Sequence, residues 1–211
     1  MSKKENIDRL RNYKFIKTIG EGTFGKVKLS IHLLTNEYAA IKILEKSRIT
    51  DKEELERIEK EIKYLKLFNH PNIIQIYEVI EDEKNFYIVM EFVPCGELFN
   101  YIVKKERLKE KEASFFYSQI IHGLSEINKK KICHRDIKPS NIMINKDQKI
   151  KLVDYGYIVY LNESNGALSG GKTRIGNRNY MCPEILYKEI NEYKDLIGNR
   201  KIYIHPRAMR F

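Results

Sequence analysis

The sequence predicts an α+β protein with two lobes: a small lobe of antiparallel strands with one helix, then a mainly helical large lobe. Three observations carry this expectation. After a glycine-rich stretch near residue 20, apolar and polar residues alternate, which is the period of a β-strand. Further along, apolar residues recur every three or four positions, which is the period of a helix. Between these regions, Pro94 and Gly96 break the chain and indicate a hinge.

The composition is that of a soluble globular protein. The chain has 211 residues, of which 42% are hydrophobic and 32% are charged. No apolar run is long enough to span a bilayer, and the stretch "MSKKENIDRLRNYKF" lacks the apolar segment of a secretory signal. We therefore expect a cytoplasmic protein, with the nucleus as the other possibility, and no membrane partner. Three widely spaced cysteines indicate free thiols, and the net charge of +10 comes from dispersed lysines, so we expect no nucleic-acid partner.

The glycines of "IGEGTFGKV" have the spacing G-x-G-x-x-G, at Gly20, Gly22 and Gly25. Without a Cβ atom, such residues let a backbone approach phosphate groups closely. The pattern occurs in dinucleotide-binding folds, where the third glycine opens a helix, and in loops that cover the phosphates of ATP. Here the residues after Gly25 alternate between apolar and polar: Val27, Leu29, Ile31 and Leu33 against Lys26, Lys28, Ser30 and His32. This favours a strand–turn–strand hairpin and disfavours a dinucleotide oxidoreductase.

A strand and a helix are expected next. The strand is "EYAAIKIL", which places Lys42 in a mostly apolar setting. The helix begins with Thr50 and Glu53, which match a capping box. One apolar stripe then follows at Leu55, Ile58, Ile62 and Leu65. Glu61 borders this stripe, so an acid lies beside the buried face.

Two more strands, "IIQIYEVI" and "NFYIVMEF", precede the break at residues 94–96. A helix is expected over residues 109–130, with a stripe at Phe116, Ile120, Leu124 and Ile127. The loop "CHRDIKPSN" follows, and then a hairpin, "IMINKDQKIKLV", which ends in "DYG". The small residues of "SNGALSGG" indicate a mobile loop.

The motifs "GEGTFGKV", "AAIK", "HRDIKPSN", "DYG" and "CPE", in this order, resemble the signature of the protein kinase catalytic domain. The resemblance runs from about residue 13 to residue 184. The stretches "HPNII", "MEF" and "CGELFNYI" are most similar to the calcium/calmodulin-dependent and AMP-activated (SNF1-like) kinase group. The resemblance to the kinase domain implies a two-lobed fold. Its parts are an N-terminal extension at 1–12, a small lobe and hinge at 13–93, a partial large lobe with catalytic and activation loops at 94–184, and an atypical tail at 185–211.

The resemblance implies a serine/threonine kinase that transfers the γ-phosphate of Mg-ATP to protein hydroxyls. Asp136 would be the base, and Lys138 would steady the γ-phosphate. Lys42 would bind the α- and β-phosphates and pair with Glu61. Asn141 and Asp154 offer the hard oxygen ligands that Mg²⁺ prefers.

The resemblance also assigns an ATP site, with Phe24 shielding it from water, Met90 as gatekeeper, and Glu97 on the ribose or on a basic substrate residue. The complete set is Ile19, Gly20, Glu21, Gly22, Thr23, Phe24, Gly25, Lys26, Val27, Ala40, Lys42, Met90, Glu91, Val93, Glu97 and Met143. Within this set, Val27, Ala40 and Met143 would sandwich the adenine. A regulatory spine is expected from Leu65, Ile76, His134 and Tyr155.

Regulation by an upstream kinase is expected at Thr173, which matches the phosphorylated position of the AMP-activated group; Arg135 would receive the phosphate. Some positions depart from the family: Ser140 replaces a glutamate, and Asn177 and Arg178 replace the usual hydroxyl residue and proline. The D-x-W-S-x-G motif that usually opens the next helix is also not found, and the chain has no tryptophan. We therefore expect an incomplete large lobe. The alternative is a catalytically impaired, truncated kinase that acts as a nucleotide- or protein-binding module.

Overall fold

The computed structural model describes residues 8–22, 25–49, 55–56, 58–59, 62–63, 66–155, 159–160 and 179–180. The chain divides into two compact units. The small unit is formed by Met1–Asn69 and Ile74–Val93, and the large unit by His70–Ile73 and Pro94–Phe211. Residues His70–Ile73 therefore belong to the large unit, although segments of the small unit flank them in sequence.

The small unit is built on an antiparallel sheet of five strands in the order β1-β2-β3-β5-β4. The strands are β1 (Tyr13–Gly22), β2 (Gly25–His32), β3 (Tyr38–Glu45), β4 (Ile76–Glu81) and β5 (Asn85–Glu91). The predicted strand after Gly25 is confirmed, and its apolar–polar alternation continues only to His32. Leu33 lies beyond the strand in the turn to β3 and is exposed.

One face of this sheet carries the apolar core of the small unit. The core cluster consists of Ala39, Ile41, Ile80, Tyr87 and Val89, with Leu10, Tyr13 and Ile43 packed against it. Burying each large aliphatic side chain contributes roughly 1.5–3 kcal/mol to folding. Because successive side chains of a strand point to opposite faces, the even-numbered residues Ala40 and Lys42 of β3 point away from this cluster.

The residues just before β1 are fastened to the far edge of the sheet. Residues 8–11 form a helical turn, and both Arg9 and the hydroxyl of Tyr13 donate hydrogen bonds to the carboxylate of Glu78 on β4. The backbone N–H of Leu33 donates to the carbonyl of Asn12 at 2.7 Å. A helix was predicted between β3 and β4. Its described residues, 55–56, 58–59 and 62–63, are all helical, and Ile58 is buried. Thr50, Glu53, Glu61 and Leu65 lie outside the described residues.

Among its described residues, the large unit contains two α-helices and two small ladders. The helices are α1 (Leu98–Lys105) and α2 (Glu110–Lys129). The strands are β6 (Ile132–Cys133), β7 (Ile142–Ile144), β8 (Ile150–Leu152) and β9 (Val159–Tyr160), paired antiparallel as β6 with β9 and β7 with β8. The predicted helix over 109–130 is confirmed as α2, with Phe116, Ile120 and Ile127 fully buried.

The prediction for β4 is wrong at its start. The apolar run begins at Ile73, but the strand begins at Ile76. Ile73 instead forms an isolated parallel bridge with Leu152 of β8, and its N–H donates to the carbonyl of His70 at 3.1 Å. Ile73 is buried in the core of the large unit. Its apolar side chain therefore belongs to that core and not to strand β4, which follows it in the small unit.

No helix in the described part of the chain is long and apolar enough to cross a membrane. Cys95 is a free thiol, as the sequence predicts. Cys182 lies outside the described residues.

Candidate active site

In the small unit, sheet register places several predicted ATP-binding residues side by side. Lys42 of β3 is opposite Val27 of β2 and Ile88 of β5. One pleat away on the same face, Ala40 is opposite Met90 of β5. Opposed residues in an antiparallel pair share a face, so Val27, Ala40, Lys42 and Met90 form one patch on the side of the sheet away from the core cluster.

The glycine hairpin lies at the end of the same face. Gly20 is opposite Val27, and Gly22 is opposite Gly25, which closes the β1–β2 ladder. A Cβ atom built on Gly25 would stand 1.9 Å from the carbonyl oxygen of Ile43, so only glycine fits between β2 and β3 there. Glu21 and Lys26 of this hairpin form an exposed ion pair at 3.7 Å. Thr23 and Phe24 lie outside the described residues.

The other predicted hinge and ribose residues have described backbone roles. The N–H of Glu91 donates to the carbonyl of Gln75 at 3.0 Å, and Val93 is buried. Glu97 precedes α1 and makes no side-chain cap, while its carbonyl accepts from the N–H of Tyr101 at 3.1 Å. Its backbone also bridges Met143 of β7.

In the large unit, the loop between β6 and β7 gathers the predicted catalytic residues. Arg135, two residues after β6, has a φ of 64°, which lies in the left-handed region. A 3-10 turn, Pro139–Asn141, then leads into β7, and α1 packs against this turn. Short elements on both sides therefore fix the ends of the loop.

Asp136 is the centre of this loop, and its side chain is 2% exposed. Nζ of Lys138 donates to its Oδ2 at 2.7 Å. Nδ2 of Asn141 donates to the same oxygen at 2.8 Å and to the Asp136 carbonyl at 2.9 Å. A buried carboxylate is tolerated when charged and polar donors satisfy it, and both donors here come from within five residues.

Asn141 also joins this loop to the predicted metal ligand Asp154. Its carbonyl accepts the N–H of Val153 at 3.0 Å, while its side-chain amide holds Asp136. Asp154 follows with a φ of 62° and an exposed side chain. A non-glycine residue in this region carries a strain of about 1–3 kcal/mol, which the surrounding structure must hold. The sequence assigned Asn141 only as a metal ligand; nothing in the local pattern shows that its amide also clamps Asp136.

His134 and Tyr155 form the buried support beneath these acids. Their ring centroids are 4.7 Å apart. The N–H of Asp136 donates to Nδ1 of His134 at 3.3 Å, so the ring proton is on Nε2, which donates to the Val153 carbonyl at 3.2 Å. Burial lowers the pKa of His134 and outweighs the nearby Asp154 and Asp136 carboxylates, which act in the opposite direction. The imidazole is therefore neutral at pH 7.

Tyr155 has the aromatic packing that the sequence predicts for the second residue of "DYG". It is completely buried, and burial raises the pKa of its hydroxyl, so the phenol stays protonated. Ile76, another predicted spine residue, is buried in the small unit.

Within the described residues, no three histidine, cysteine, aspartate or glutamate side chains gather as a metal cluster. The predicted magnesium ligands are one carboxylate and one amide oxygen, which is a different donor set. Glu61 and Thr173 lie outside the described residues.

The antiparallel sheet, the glycine hairpin and the Asp136 loop define a member of the protein kinase family. Residues 13–197 match the protein kinase domain, so the chain belongs to that family, and the predicted fold class is confirmed.

The chain is similar to kinases of the SNF1-related group, as the motifs predicted. The Arabidopsis thaliana protein "SNF1-related protein kinase catalytic subunit alpha KIN12" is 42% identical over 177 residues, which is 84% of this chain and 35% of that protein. "Serine/threonine protein kinase OSK3" of Oryza sativa subsp. japonica is 41% identical, over 85% of this chain and 34% of its own length. The "Carbon catabolite-derepressing protein kinase" of Candida glabrata is 39% identical, over 84% and 28%. The chain thus spans about a third of the length of these curated relatives.

Proposed function

We propose that this chain is a protein serine/threonine kinase, which transfers the γ-phosphate of Mg-ATP to serine and threonine hydroxyls of protein substrates. The observation that carries the proposal is the buried Asp136 carboxylate, held by Lys138 at 2.7 Å and Asn141 at 2.8 Å. Two similar proteins, from Oryza sativa and Arabidopsis thaliana, have kinase names, and the rice one is named a serine/threonine kinase.

Asp136 is the proposed base. Phosphoryl transfer depends mainly on positioning and on neutralising charge, so the base must hold the attacking hydroxyl in line and accept its proton. The two donors on Oδ2 fix the rotamer of the carboxylate. Lys138 carries a positive charge next to the base, and we assign it to the transferring phosphate.

Mg²⁺ is the proposed metal, and the residues present fit it. The Nδ2 atom of Asn141 is occupied by Asp136, which leaves its Oδ1 as the atom that can serve as a ligand. The exposed Asp154 carboxylate is a second hard oxygen donor. When bound, Mg²⁺ neutralises negative charge on the phosphates of ATP.

The small-unit patch is the proposed nucleotide-binding surface. Val27 and Ala40 supply apolar contacts for adenine, Lys42 supplies a cation for phosphate, and the Gly20–Gly25 hairpin supplies backbone amides. The remaining residues that we propose for ATP are those named from the sequence, including Met90, Glu91, Val93, Glu97 and Met143. Lys42 is also the proposed partner of Glu61.

Thr173 is the proposed regulatory site, phosphorylated by an upstream kinase, with Arg135 as the partner of the phosphate. Incubating the chain with an extract that activates it tests this proposal. Thr173→Ala should lose the activation, and Ser169→Ala should keep it. An unchanged response of Thr173→Ala to the extract would show that the switch is elsewhere.

Transfer of label is the direct test of the proposed activity. Purified protein is incubated with Mg-ATP labelled at the γ-phosphate and a basic protein rich in serine and threonine. We expect label on the acceptor's serine and threonine, lost in Asp136→Asn, which keeps the shape of the side chain but cannot accept the proton. Nucleotide binding without transfer by the soluble, unsubstituted chain would overturn the proposal and favour a binding module.

A further inference from the structure

Both the oxygen and the nitrogen of the Gln119 side-chain amide form hydrogen bonds inside the large unit. Gln119 lies on α2 and is 9% exposed. Its Oε1 accepts from Nδ2 of Asn72 at 3.1 Å and from the N–H of Ile150 at 3.1 Å. Its Nε2 donates to the carbonyl of Gln148 at 3.1 Å. One buried amide therefore joins α2 to two other segments of the chain.

Asn72 completes the connection to β8. Its Nδ2 donates to the Ile150 carbonyl at 3.2 Å, and its own carbonyl accepts the N–H of Leu152 at 2.9 Å. Both ends of the three-residue strand β8 are thus tied to Asn72, and Gln119 holds Asn72 and Ile150 together. Buried polar groups in such a network are costly to leave unpaired, so the strand has one favoured register on the helix.

Gly123 lies one helical turn after Gln119 on the same face of α2. A Cβ atom at this position would stand 2.9 Å from Cδ1 of Leu152 and 3.2 Å from the Asn72 carbonyl. The absence of a side chain lets β8 come close enough for its amides to reach the Gln119 side chain. Helix α2 therefore positions strand β8 through the hydrogen bonds of the Gln119 amide and through the close approach that Gly123 permits.

Strand β8 leads directly to Asp154. Val153 follows the strand, and both of its backbone groups are bonded, its N–H to Asn141 and its carbonyl to His134. A shift of β8 along α2 would have to move or break these bonds, which belong to the residues that hold Asp136. The position of Asp154 relative to Asp136 thus depends on where β8 rests.

We propose that Gln119 is a positioning residue for the phosphoryl-transfer site. By fixing the register of β8 on α2, it fixes where Asp154 presents its carboxylate to Mg²⁺. This inference rests on the proposed kinase function. Residues that orient a metal ligand without touching the metal typically change metal affinity by about 10-fold to 100-fold when they are replaced.

The experiment compares Gln119→Leu with Phe116→Leu and the unsubstituted chain. Phe116 lies on the same helix and is fully buried, but its ring packs edge-on against Tyr101 of α1 at 5.6 Å, so its replacement loosens the packing of α2 on α1 without removing a hydrogen bond of Gln119. We measure label transfer as a function of Mg²⁺ concentration, together with Tm. Gln119→Leu should raise the half-saturating Mg²⁺ concentration about 10-fold or more. Phe116→Leu should lower Tm but leave the half-saturating Mg²⁺ concentration unchanged.

Gln119→Glu provides a second readout, independent of folding yield. The introduced carboxylate keeps both acceptor bonds but cannot donate to Gln148 until it is protonated. Its transfer rate relative to the unsubstituted chain should therefore rise as the pH falls from 8 to 6.

The outcomes separate this inference from the proposed function. An unsubstituted chain that binds Mg-ATP but transfers no label overturns the proposed function. Transfer by the unsubstituted chain, with the same Mg²⁺ requirement in Gln119→Leu and a flat pH ratio in Gln119→Glu, overturns the positioning role alone.

Discussion

Nζ of Lys138 and Nδ2 of Asn141 converge on one oxygen of Asp136, at 2.7 Å and 2.8 Å. The lysine side chain is 21% exposed, whereas the aspartate side chain is 2% exposed. The ion pair therefore has one end in the core and one end within reach of solvent. The partly exposed ammonium group of Lys138 can therefore contact a charged ligand while the buried Asp136 carboxylate stays in place.

Lys138→Met tests the role of this cation. The variant removes the positive charge beside the base, and we expect kcat to fall by about 10²–10³ because charge developing in the transition state loses a stabilising partner. Steady-state kinetics with Mg-ATP measure the change. Lys149→Met, in the exposed turn between β7 and β8, is the control and should retain kcat. A Lys138→Met enzyme with normal kcat would remove Lys138 from the transfer step.

Gly25→Ala and Gly20→Ala should differ sharply in stability. A methyl group at Gly25 would collide with the Ile43 carbonyl at 1.9 Å, whereas at Gly20 the nearest atom is Val27 Cβ at 3.6 Å, an ordinary contact. We expect Gly25→Ala to lower the free energy of unfolding by about 1–3 kcal/mol or more, since β2 and β3 must separate. Gly20→Ala should change it little. Urea unfolding of both variants checks this, and equal midpoints would contradict the close approach of the strands.

His134 should make stability depend on pH in a definite direction. Burial lowers its pKa in the folded state below the ordinary value of 6.5, so the unfolded chain takes up the proton first. The contribution of His134 to the free energy of unfolding is complete above about pH 6.5. It is lost as the pH falls below this value, by up to about 1.4 kcal/mol per pH unit. Burial also lowers the pKa of His70, so its contribution has the same sign.

The check is the unfolding free energy of the unsubstituted chain, His134→Asn and His70→Asn between pH 7.5 and 5.5. His134→Asn should be less stable at pH 7.5 but should show a shallower loss toward pH 5.5. Parallel curves for the unsubstituted chain and His134→Asn would show that folding does not lower the pKa of the imidazole.

Ser30→Ala should stabilise the small unit. Ser30 is completely buried in β2, and its hydroxyl has no hydrogen-bond partner among the described residues. Removing an unpaired buried hydroxyl should raise the free energy of unfolding by about 1 kcal/mol, which a rise in Tm would show. Thr35→Ala is the matched control, because that hydroxyl contacts Nδ1 of His32 at 3.0 Å and should not stabilise when removed. A lower Tm for Ser30→Ala would indicate that the hydroxyl is paired.

The sequence predicted the long elements and the short β7–β8 hairpin, but it missed three other short elements. Strand β2 and helix α2 carry enough repeats for the pattern to show, and both are confirmed. The two-residue strands β6 and β9 carry no period, and α1 buries only Leu98, so none of the three was predicted. Ser30 was placed on the polar side of its strand, yet it is buried, because both faces of β2 are partly covered.

The sequence predicted which residues of the Asp136 loop lie together, but it did not predict the long-range contacts. Asp136, Lys138 and Asn141 lie within one short motif, so the sequence already places them together. Gln119 stands 31 positions before Ile150 and 47 after Asn72 in the chain. On α2, it looks like any polar residue of a helix surface, and only the fold shows that its amide is enclosed.

The assignment of His70–Ile73 to the large unit constrains how the gene can be divided. A cut after Val93 leaves in the first fragment the Asn72 carbonyl that pairs with Leu152 and the Ile73 that bridges it. The second fragment then lacks His70–Ile73 of its own unit, whereas the first fragment holds every segment of the small unit. The second fragment should therefore need the first to become protease-resistant, which makes this junction suited to a complementation reporter and unsuited to isolating the large unit.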